Sequence, residues 1–375
     1  MNKNILIIAG EASGDVRGSE LLRELVPLLS GTHFWGVGGN RMEEEGVELI
    51  EHIRDLSMVG IVEILKKLPQ IRAHYNNITS QVIKRKPELA ILIDYPGFNL
   101  KIAKFLKKQG IPVIYYIIPQ VWAWGPWRIK TIKERVSKAL VLFDFEEKLL
   151  KESGVDCEFV GHPLVDEAPS ASDRSGKEHL RVALLPGSRN NEINAILPVM
   201  LDAAEKIRSV RSDTHFIVAE SSNIQKDTYD AMLSRHENLD IERVTNDTFS
   251  CLDKCDFAIV ASGTATLETA VMERPMVITY KVSPVTAFIA RLLQTVPFLG
   301  LVNIIAGKEV APELLQEDAT SEKLSGKALE ILGNSSMMDG MKKELREVKH
   351  HLGEKGAAKR AALAVKNFIN KKSGT

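Results

Sequence analysis

The chain has 375 residues, and its 49 Lys and Arg balance its 49 Asp and Glu, so overall charge favours neither nucleic acid nor any other polyanion as a partner. Hydrophobic residues make up 44% of the chain and charged residues 26%, which is typical of a soluble globular protein with room for two domains. The three cysteines cannot form a disulfide framework or complete a metal site, which favours a reduced, cytosolic setting.

The N-terminal segment carries a short apolar run that ends at Gly10 and is followed at once by Glu11 and Asp15. We interpret this run as a first strand rather than a signal peptide. No run of eighteen apolar residues occurs, since the nearest candidate, 284–301, carries Arg291. The sequence therefore predicts no segment that spans a bilayer.

Short apolar runs alternate with helical patterns along the chain, which predicts parallel strands in open, doubly wound α/β sheets. A polar, Ser-rich stretch at 166–178 has the composition of a linker and divides the pattern into two α/β domains. We expect an N-terminal domain over 1–168, a second domain over 169–345, and a helical tail over 346–375 that packs across both. The predicted strands are 5–9, 34–37, 89–93, 113–118, 139–143, 158–160, 181–185, 216–219, 239–244, 257–260 and 276–278.

A strand, a tight turn and a helix are predicted between 257 and 272, and the turn contains Gly and small hydroxylated residues. The unpaired N–H groups and positive dipole end of such a helix suit a phosphate. Glu268, about one turn inside the helix, could bind two hydroxyls of a ribose. The alternative is an ordinary helix start at which Glu268 only complements the dipole. The predicted phosphate-binding residues are Ser262, Gly263, Thr264, Ala265 and Thr266.

A second candidate anion-binding loop, Gly187-Ser188-Arg189, follows the first strand of the second domain. Loop amides beside a guanidinium suit a diphosphate, whereas Arg189 alone could be a surface cation. The carboxamides of Asn303 and Gln316 could bond a sugar or uracil, or could stabilise their own loops. Together with the first turn, this loop predicts a nucleoside diphosphate site.

Asp94 ends the buried strand 89–93 and is followed by Tyr95, Pro96 and Gly97. A carboxylate at the carboxyl end of a parallel sheet is placed to take a proton from an incoming hydroxyl as a general base. The alternative for Asp94 is a helix N-cap. Three other residues compete for the role of base: Glu11, Asp15 and His162.

Other patterns disfavour rival chemistries. The loop 10–15 does not have the spacing G-x-G-x-x-G, and no acidic residue follows at the distance that a dinucleotide ribose site requires. A nicotinamide-dependent dehydrogenase is therefore disfavoured. Neither Asp-x-Asp nor His-Glu-x-x-His occurs, so we expect no metal and no cofactor.

A membrane-facing surface is predicted in the first domain. The segment 56–69 is too apolar for an ordinary exposed helix, and 98–138 holds nine Lys or Arg with Glu134 as its one acid. Trp122, Trp124 and Trp127 lie among these cations, as expected for contact with an anionic membrane. The alternatives are a core segment beside a solvated basic face, or RNA binding without a recognisable module. The predicted membrane-facing residues are Met58, Val59, Ile61, Val62 and Leu65.

The chain also contains a set of motifs that resembles the lipid-A-disaccharide synthases, cytoplasmic glycosyltransferases of lipopolysaccharide assembly in Gram-negative bacteria. The resemblance covers nearly the whole chain, and two of the motifs, AGEASGD and PQVWAWG, are long and unusual. The motifs are AGEASGD at 9–15, IDYPGFN at 93–99, PQVWAWG at 119–125, FVGHPLVD at 159–166, LLPGSR at 184–189, SGTATLE at 262–268 and LVNIIAG at 301–307.

The resemblance implies a GT-B architecture of two Rossmann-like domains around a cleft, in a protein bound peripherally to the cytoplasmic face of the inner membrane. It implies transfer of 2,3-diacylglucosamine from its UDP derivative onto the 6-hydroxyl of 2,3-diacylglucosamine 1-phosphate (lipid X), with inversion, giving a β-1,6-linked disaccharide and UDP. Asp94 would be the base, the two loops of the second domain would hold the diphosphate, and Glu268 would hold the ribose. The residues implied around the acceptor are Glu11, Ser13, Gly14, Asp15, Trp122 and Trp124.

Three other functions stay open from the sequence. A UDP-N-acetylglucosamine 2-epimerase can share this architecture but would act on a water-soluble substrate, which the apolar segment 56–69 disfavours. A nucleotide-binding membrane adaptor would leave Asp94 without a role. A transferase with a polyprenyl-linked acceptor would differ mainly in its membrane-facing pocket. A homodimer is compatible with the sequence.

Overall fold

The protein is described by a computed structural model that covers residues 3–56, 68–172, 179–282 and 297–373. The chain forms two compact units, which we call unit 1 (Met1–Asp166 with Leu352–Thr375) and unit 2 (Glu167–His351). The chain therefore leaves unit 1 after Asp166 and returns to it with its last residues.

Within the described residues, unit 1 contains a seven-stranded parallel sheet. Its strands are β1 (Asn4–Ala9), β2 (His33–Gly38), β3 (Glu48–His52), β4 (Leu89–Ile93), β5 (Val113–Tyr116), β6 (Lys138–Val141) and β7 (Cys157–Phe159). They lie in the order β3-β2-β1-β4-β5-β6-β7. The strands β4 and β5 are buried along their whole length, which is why they read as continuous apolar runs in the sequence.

The helices of unit 1 connect these strands and cover the sheet. They are α1 (Ala12–Leu28), α2 (Asn40–Glu44), α3 (Ile53–Leu56), α4 (Leu68–Arg85), α5 (Pro96–Lys108), α6 (Val121–Trp124), α7 (Arg128–Arg135), α8 (Asp144–Glu152), α9 (Leu164–Glu167) at the junction with unit 2, and the C-terminal α17 (Ala357–Ser373). The core formed by α4, α5 and α7 on the sheet includes Trp35 and Tyr115, both fully buried.

The described part of unit 2 contains a six-stranded parallel sheet in the order β10-β9-β8-β11-β12-β13, whose bounds follow. The strands are β8 (Arg181–Leu185), β9 (His215–Glu220), β10 (Ile241–Thr245), β11 (Phe257–Ala261), β12 (Met276–Tyr280) and β13 (Glu313–Leu315). The helices are α10 (Asn190–Val210), α11 (Lys226–Leu233), α12 (Thr248–Asp253), α13 (Thr264–Val271), α14 (Leu301–Ala306), α15 (Ser321–Leu332) and α16 (Ser335–His351), with a 3₁₀ turn at Gln316–Asp318.

The sheets confirm the doubly wound α/β prediction, because every predicted strand is present and the strands pair in parallel. Among the described residues, the sequence pattern missed β3 and β13. Both lie at sheet edges and are only partly buried, so neither carries the continuous apolar run of a central strand.

The predicted tail, 346–375, is divided between the two units. Helix α16 belongs to unit 2, where Arg346 bonds Glu273 at 2.7 Å. Helix α17 packs on α1 in unit 1. Its Arg360 donates to the carbonyl oxygen of Val160, and the amide of Ala357 donates to Asp166. The end of the chain therefore completes the unit in which the chain begins.

Over residues 3–56, 68–172, 179–282 and 297–373, no helix combines the length and the apolar character needed to cross a bilayer. The predicted membrane-facing residues lie outside the described residues; they are Met58, Val59, Ile61, Val62 and Leu65.

Candidate active site

Two motif loops of unit 1 meet at the carboxyl ends of β1 and β4. These strands are neighbours, with Ala9 paired to Ile93, so the residues that follow them lie side by side. The Tyr95 ring packs directly on Gly10, where a Cβ atom would lie 2.1 Å from the ring. Only glycine leaves room for this contact, which explains why the first loop needs a residue without a side chain there.

The backbone of Asp94 is held in a conformation that non-glycine residues rarely adopt. Asp94 has φ +47° and Tyr95 has φ +50°, both in the left-handed region. Buried side chains fix this geometry: the Tyr115 hydroxyl and the Asn99 carboxamide donate to the carbonyl oxygen of Asp94 at 2.7 and 2.8 Å. The turn thus places the Asp94 carboxyl at the carboxyl edge of the sheet, where the sequence predicted it.

The environment of Asp94 favours a proton acceptor. Burial raises the pKa of its carboxyl above the ordinary value, the backbone N–H of Tyr95 opposes this, and the charge of Glu11 adds to the increase. A carboxylate with a raised pKa is a stronger base. Glu11 is itself exposed at the start of α1, so it remains the competing carboxylate at this edge.

Asp15 has a different role in the structure. Its buried carboxylate accepts hydrogen bonds from the backbone amides of Gly39, Arg41 and Met42, at 2.7, 3.2 and 3.1 Å. These bonds cap the start of α2 and hold the loop after β2. The geometry therefore disfavours Asp15 as a base. In the same motif, Ser13 is exposed and Gly14 is buried.

His162 is also disfavoured as a base. Its Nδ1 accepts the backbone N–H of Leu164 at 3.1 Å, and its ring lies 5.4 Å from that of Phe143. Burial and, secondarily, the positive charge of Arg17 lower the pKa of His162 to about 4. The imidazole is therefore neutral near pH 7, and the nitrogen that could take a proton is already occupied.

Trp122 is anchored by a residue that the sequence analysis missed. Its Nε1 donates to the buried carboxyl of Glu146 at 2.8 Å, and its ring makes edge contacts with Phe143 and Phe145. Burial raises the pKa of Glu146 to about 7, and the bond from Trp122 opposes the increase. The signal for Glu146 was its place at the third position of a helix after a strand, where a Glu can cap the helix. The side chain of Trp124 lies outside the described residues.

In unit 2, the turn 262–266 opens α13 as predicted for an anion site. Gly263 is the N-cap and has no side chain in front of the first helical N–H groups, and its φ of +154° is strained for other residues. The Ser262 hydroxyl donates to the Leu299 carbonyl, and the Thr266 hydroxyl donates to Gly263. These two hydroxyls brace the turn, while Thr264 is exposed beside the N–H groups.

Glu268 lies one turn into α13, partly buried. Burial raises the pKa of its carboxyl to about 7, the charge of Glu167 adds to this, and a hydrogen bond from the Thr248 hydroxyl opposes it. The carboxyl therefore becomes protonated as the pH falls below about 7. A protonated carboxyl has fewer acceptor sites, so a site that binds two hydroxyls through this group would lose affinity for them at acid pH.

The loop 187–189 places hydrogen-bond donors around the side chain of Glu192, which lies in the helix that follows the loop. Gly187 has φ +102°, and Arg189 is 80% exposed. The Ser188 amide donates to Glu192 at 3.2 Å, and the Arg189 guanidinium donates to the other oxygen of the same carboxylate at 3.0 Å. The loop therefore binds a carboxylate in the geometry that suits a phosphate.

The two predicted carboxamides differ in their surroundings. Asn303 is fully buried, accepts the backbone amides of Val310 and Ala311, and donates to Ala311 and to Glu313. These contacts match the loop-stabilising alternative. The Gln316 carboxamide is half-exposed, and its oxygen accepts the amide of Val282 at 3.4 Å, which is a weak contact. Glu313, not singled out in the sequence, also holds the amides of Leu299 and Gly300.

Two polar groupings in unit 2 were not predicted. A cavity of about 440 Å³ lies at the carboxyl ends of β9 and β10, and its largest side chains are Tyr229 and Arg243. Elsewhere, Asp202, Glu205 and His236 place oxygen and nitrogen atoms within 4.8 Å of one another, a spacing that a metal ion could use. His236 already bonds Glu205 at 2.8 Å, as an ordinary surface pair does.

The comparison with known protein families decides between the functions that this fold allows. A family model described as lipid-A-disaccharide synthetase matches residues 5–368. The chain belongs to the lipid-A-disaccharide synthetase family. A member of this family from Syntrophus aciditrophicus (strain SB), named lipid-A-disaccharide synthase, is 40% identical over 380 residues, covering 99% of this chain and 99% of that protein.

Two solved structures with similar folds share much less sequence with this chain than the relative from Syntrophus aciditrophicus does. The calicheamicin glycosyltransferase CalG4 has a TM-score of 0.63 at 13% identity, covering 99% of this chain and 99% of that chain. A UDP-GlcNAc 2-epimerase from Neisseria meningitidis has a TM-score of 0.57 at 9% identity, covering 98% and 100%. At such identities the likeness shows the fold alone, the GT-B fold, which transferases and epimerases share.

Proposed function

We propose that this chain catalyses the reaction after which its family is named, the joining of two acylated glucosamine units. The donor is UDP-2,3-diacylglucosamine, and the acceptor is the 6-hydroxyl of 2,3-diacylglucosamine 1-phosphate. The products are the β-1,6-linked disaccharide 1-phosphate and UDP. The observation that carries the proposal is the family match over residues 5–368, since the fold alone also suits an epimerase.

In the proposed mechanism, Asp94 is the general base. Its carboxylate takes the proton of the acceptor hydroxyl while that oxygen attacks the anomeric carbon of the donor. The new carbon–oxygen bond forms on one face of the sugar as the bond to the UDP phosphate breaks on the other, so the anomeric configuration inverts. The raised pKa of Asp94 and its fixed backbone support this role.

The leaving UDP is proposed to bind unit 2. The N–H groups at the start of α13, the Ser188 amide and the Arg189 guanidinium supply positive potential for the diphosphate as negative charge builds up on it. Glu268, one turn into the same helix, is proposed to accept hydrogen bonds from the two ribose hydroxyls. Gln316 is retained as a candidate contact for the sugar or uracil.

Because both substrates carry acyl chains, we further propose that the protein binds peripherally to the cytoplasmic face of the inner membrane. Trp127, just before α7, is 64% exposed, as expected for a residue at a membrane interface. Helices α5 and α7 pack side by side and present a group of exposed cations. These are Lys101, Lys104, Lys107, Lys108, Lys130 and Lys133.

The test of the reaction is the release of UDP from UDP-2,3-diacylglucosamine in detergent, with and without lipid X. We expect release to require the acceptor, and Asp94→Asn to lower kcat by about 10²–10⁴-fold while UDP still binds. Glu11→Gln is the matched comparison, since Glu11 is the other carboxyl at this edge. Release without acceptor would contradict the transferase proposal, and a larger loss in Glu11→Gln than in Asp94→Asn would move the base to Glu11.

A further inference from the structure

The carboxylate of Glu192 is enclosed by donors from several parts of unit 2. It lies in the first turn of α10 and is only 13% exposed. One oxygen accepts the Ser188 amide and the other accepts the Arg189 guanidinium. The Tyr280 hydroxyl, at the end of β12, hydrogen-bonds the same side chain. No element of the proposed mechanism uses Glu192.

The position of this carboxylate follows from the strand order. β11 lies between β8 and β12 in the sheet. Glu192 contacts the loop after β8 and also the end of β12, so its carboxylate lies over the end of β11, where the turn 262–266 begins. It therefore stands between the two loops that are proposed to hold the diphosphate.

An ordinary ion pair along a helix does not account for these contacts. Surface pairs three residues apart keep both charged groups in solvent and contribute little to stability. Here Arg189 is 80% exposed, whereas the carboxylate of Glu192 is enclosed and also binds a main-chain N–H. Gly187 permits the close approach, because a Cβ atom there would lie 2.6 Å from the Glu192 oxygen. The loop is thus shaped around a two-oxygen anion.

We propose that Glu192 is an internal substitute for a phosphate group of the UDP-sugar. Its carboxylate competes with the diphosphate for the Ser188 amide and the Arg189 guanidinium, and it swings away when the nucleotide binds. This inference rests on the proposed role of the loop 187–189 in binding the diphosphate. The competition weakens the binding of UDP, so it speeds the release of the product after each transfer.

The test is calorimetric titration of the full-length protein with UDP and with uridine, which lacks the phosphates. We expect Glu192→Gln to bind UDP about tenfold tighter, since a hydrogen-bonded charge interaction of this size no longer opposes binding. Uridine affinity should not change. Glu192→Ala should act in the same direction. Asp202→Asn removes an exposed charge from the same helix and should leave both affinities unchanged.

Arg189→Ala separates this inference from the proposed function. If Arg189→Ala weakens UDP binding and Glu192→Gln weakens it as well or leaves it unchanged, Glu192 positions the arginine and the inference is wrong. Equal tightening of UDP and uridine would also overturn it, because the effect would not depend on phosphate. If Arg189→Ala leaves UDP affinity unchanged, the proposed role of the loop fails, and the inference fails with it.

Discussion

At the scale of single residues, two buried carboxyl groups share a raised pKa but differ in their hydrogen-bond partners. Glu146 in unit 1 and Glu268 in unit 2 both have a pKa raised to about 7, mainly by burial. Their hydrogen-bond partners differ: Glu146 receives an indole N–H and main-chain amides, whereas Glu268 receives a single hydroxyl. Glu146 therefore stabilises its loop, whereas Glu268 keeps its proposed role in binding the ribose, and each role predicts its own pH dependence.

The affinity of the protein for UDP should fall as the pH decreases through about 7. In its proposed role, Glu268 must be ionised to accept hydrogen bonds from two ribose hydroxyls, and the protonated form that prevails below its pKa loses one acceptor. Glu268→Gln should bind UDP more weakly and remove this pH dependence. Isothermal titration at several pH values measures both effects, with the exposed Glu237→Gln as control. A native affinity that does not change across this range would contradict the assignment.

Glu146→Ala should destabilise the protein by about 2–4 kcal/mol at pH 5, because it removes the carboxyl that accepts hydrogen bonds from the Trp122 indole and from buried amides. The folded-state pKa lies above the unfolded value of 4.5, so the native protein loses stability between pH 4.5 and about 7. The alanine variant lacks this loss, and the difference between the two should therefore shrink as the pH rises. Urea unfolding followed by tryptophan fluorescence measures it.

Glu152→Ala, on the exposed end of the same helix, is the control for this substitution and should change stability by less than about 0.5 kcal/mol. A penalty for Glu146→Ala that grows with pH would show that the carboxyl is stabilised in its ionised form, contrary to the effect of its burial.

At the scale of elements, the sequence predicted the central strands because their residues are buried on both faces and read as unbroken apolar runs. It missed β3, whose residues Glu48–His52 are partly exposed, and the three-residue β13. The motif loops could be located because each follows a strand. The carboxylates that hold those loops could not, since Glu146, Glu192 and Glu313 act through contacts that depend on the folded arrangement of the loops.

Asp15 is another residue whose contacts could not be predicted from the sequence. Its place in a motif indicates that it matters but does not indicate what it binds. Asp15→Ala should destabilise the protein by about 2–3 kcal/mol, since three backbone amides at the start of α2, two of them in buried hydrogen bonds, lose their acceptor. UDP affinity should be unchanged, because the proposed UDP site lies in unit 2. Thermal unfolding and UDP titration test both parts. Glu44→Ala, exposed on α2 itself, is the control. A stable variant without activity would restore Asp15 as a candidate base.

At the scale of the whole molecule, the basic face of α5 and α7 predicts binding to anionic lipid. The double variant Lys104→Glu, Lys108→Glu should lose about 2 kcal/mol of binding free energy or more, at about 1 kcal/mol per cation, when sedimented with vesicles that contain anionic phospholipid. The exposed Lys226→Glu, Lys343→Glu pair in unit 2 is the charge-matched control. Equal losses in both variants would mean that net charge, and not this face, determines the binding.

The C-terminal segment predicts a selective effect of truncation. Removing residues 352–375 takes away α17, whose Ala361 and Val365 are fully buried, and exposes the surface of α1 on which α17 packs. We expect the unfolding transition of unit 1 to be lost while UDP binding by unit 2 persists. Calorimetry and UDP titration follow the two units separately. Arg360→Ala, which keeps the helix and removes its bond to Val160, should lower the unit 1 transition only in part.

Because the chain returns to unit 1 after unit 2, the two units are completed in a fixed order during synthesis. A growing chain emerges from the ribosome from its first residue onward, and domains generally fold as units as they appear. Unit 2 is complete once His351 has emerged, whereas unit 1, which begins at the first residue, still lacks α17 at that moment. The half of the enzyme that carries Asp94 is therefore finished last. A chain that stopped after His351 would contain unit 2, the proposed UDP-binding unit, beside a unit 1 that lacks α17, so we expect such a chain to bind nucleotide without transferring the sugar.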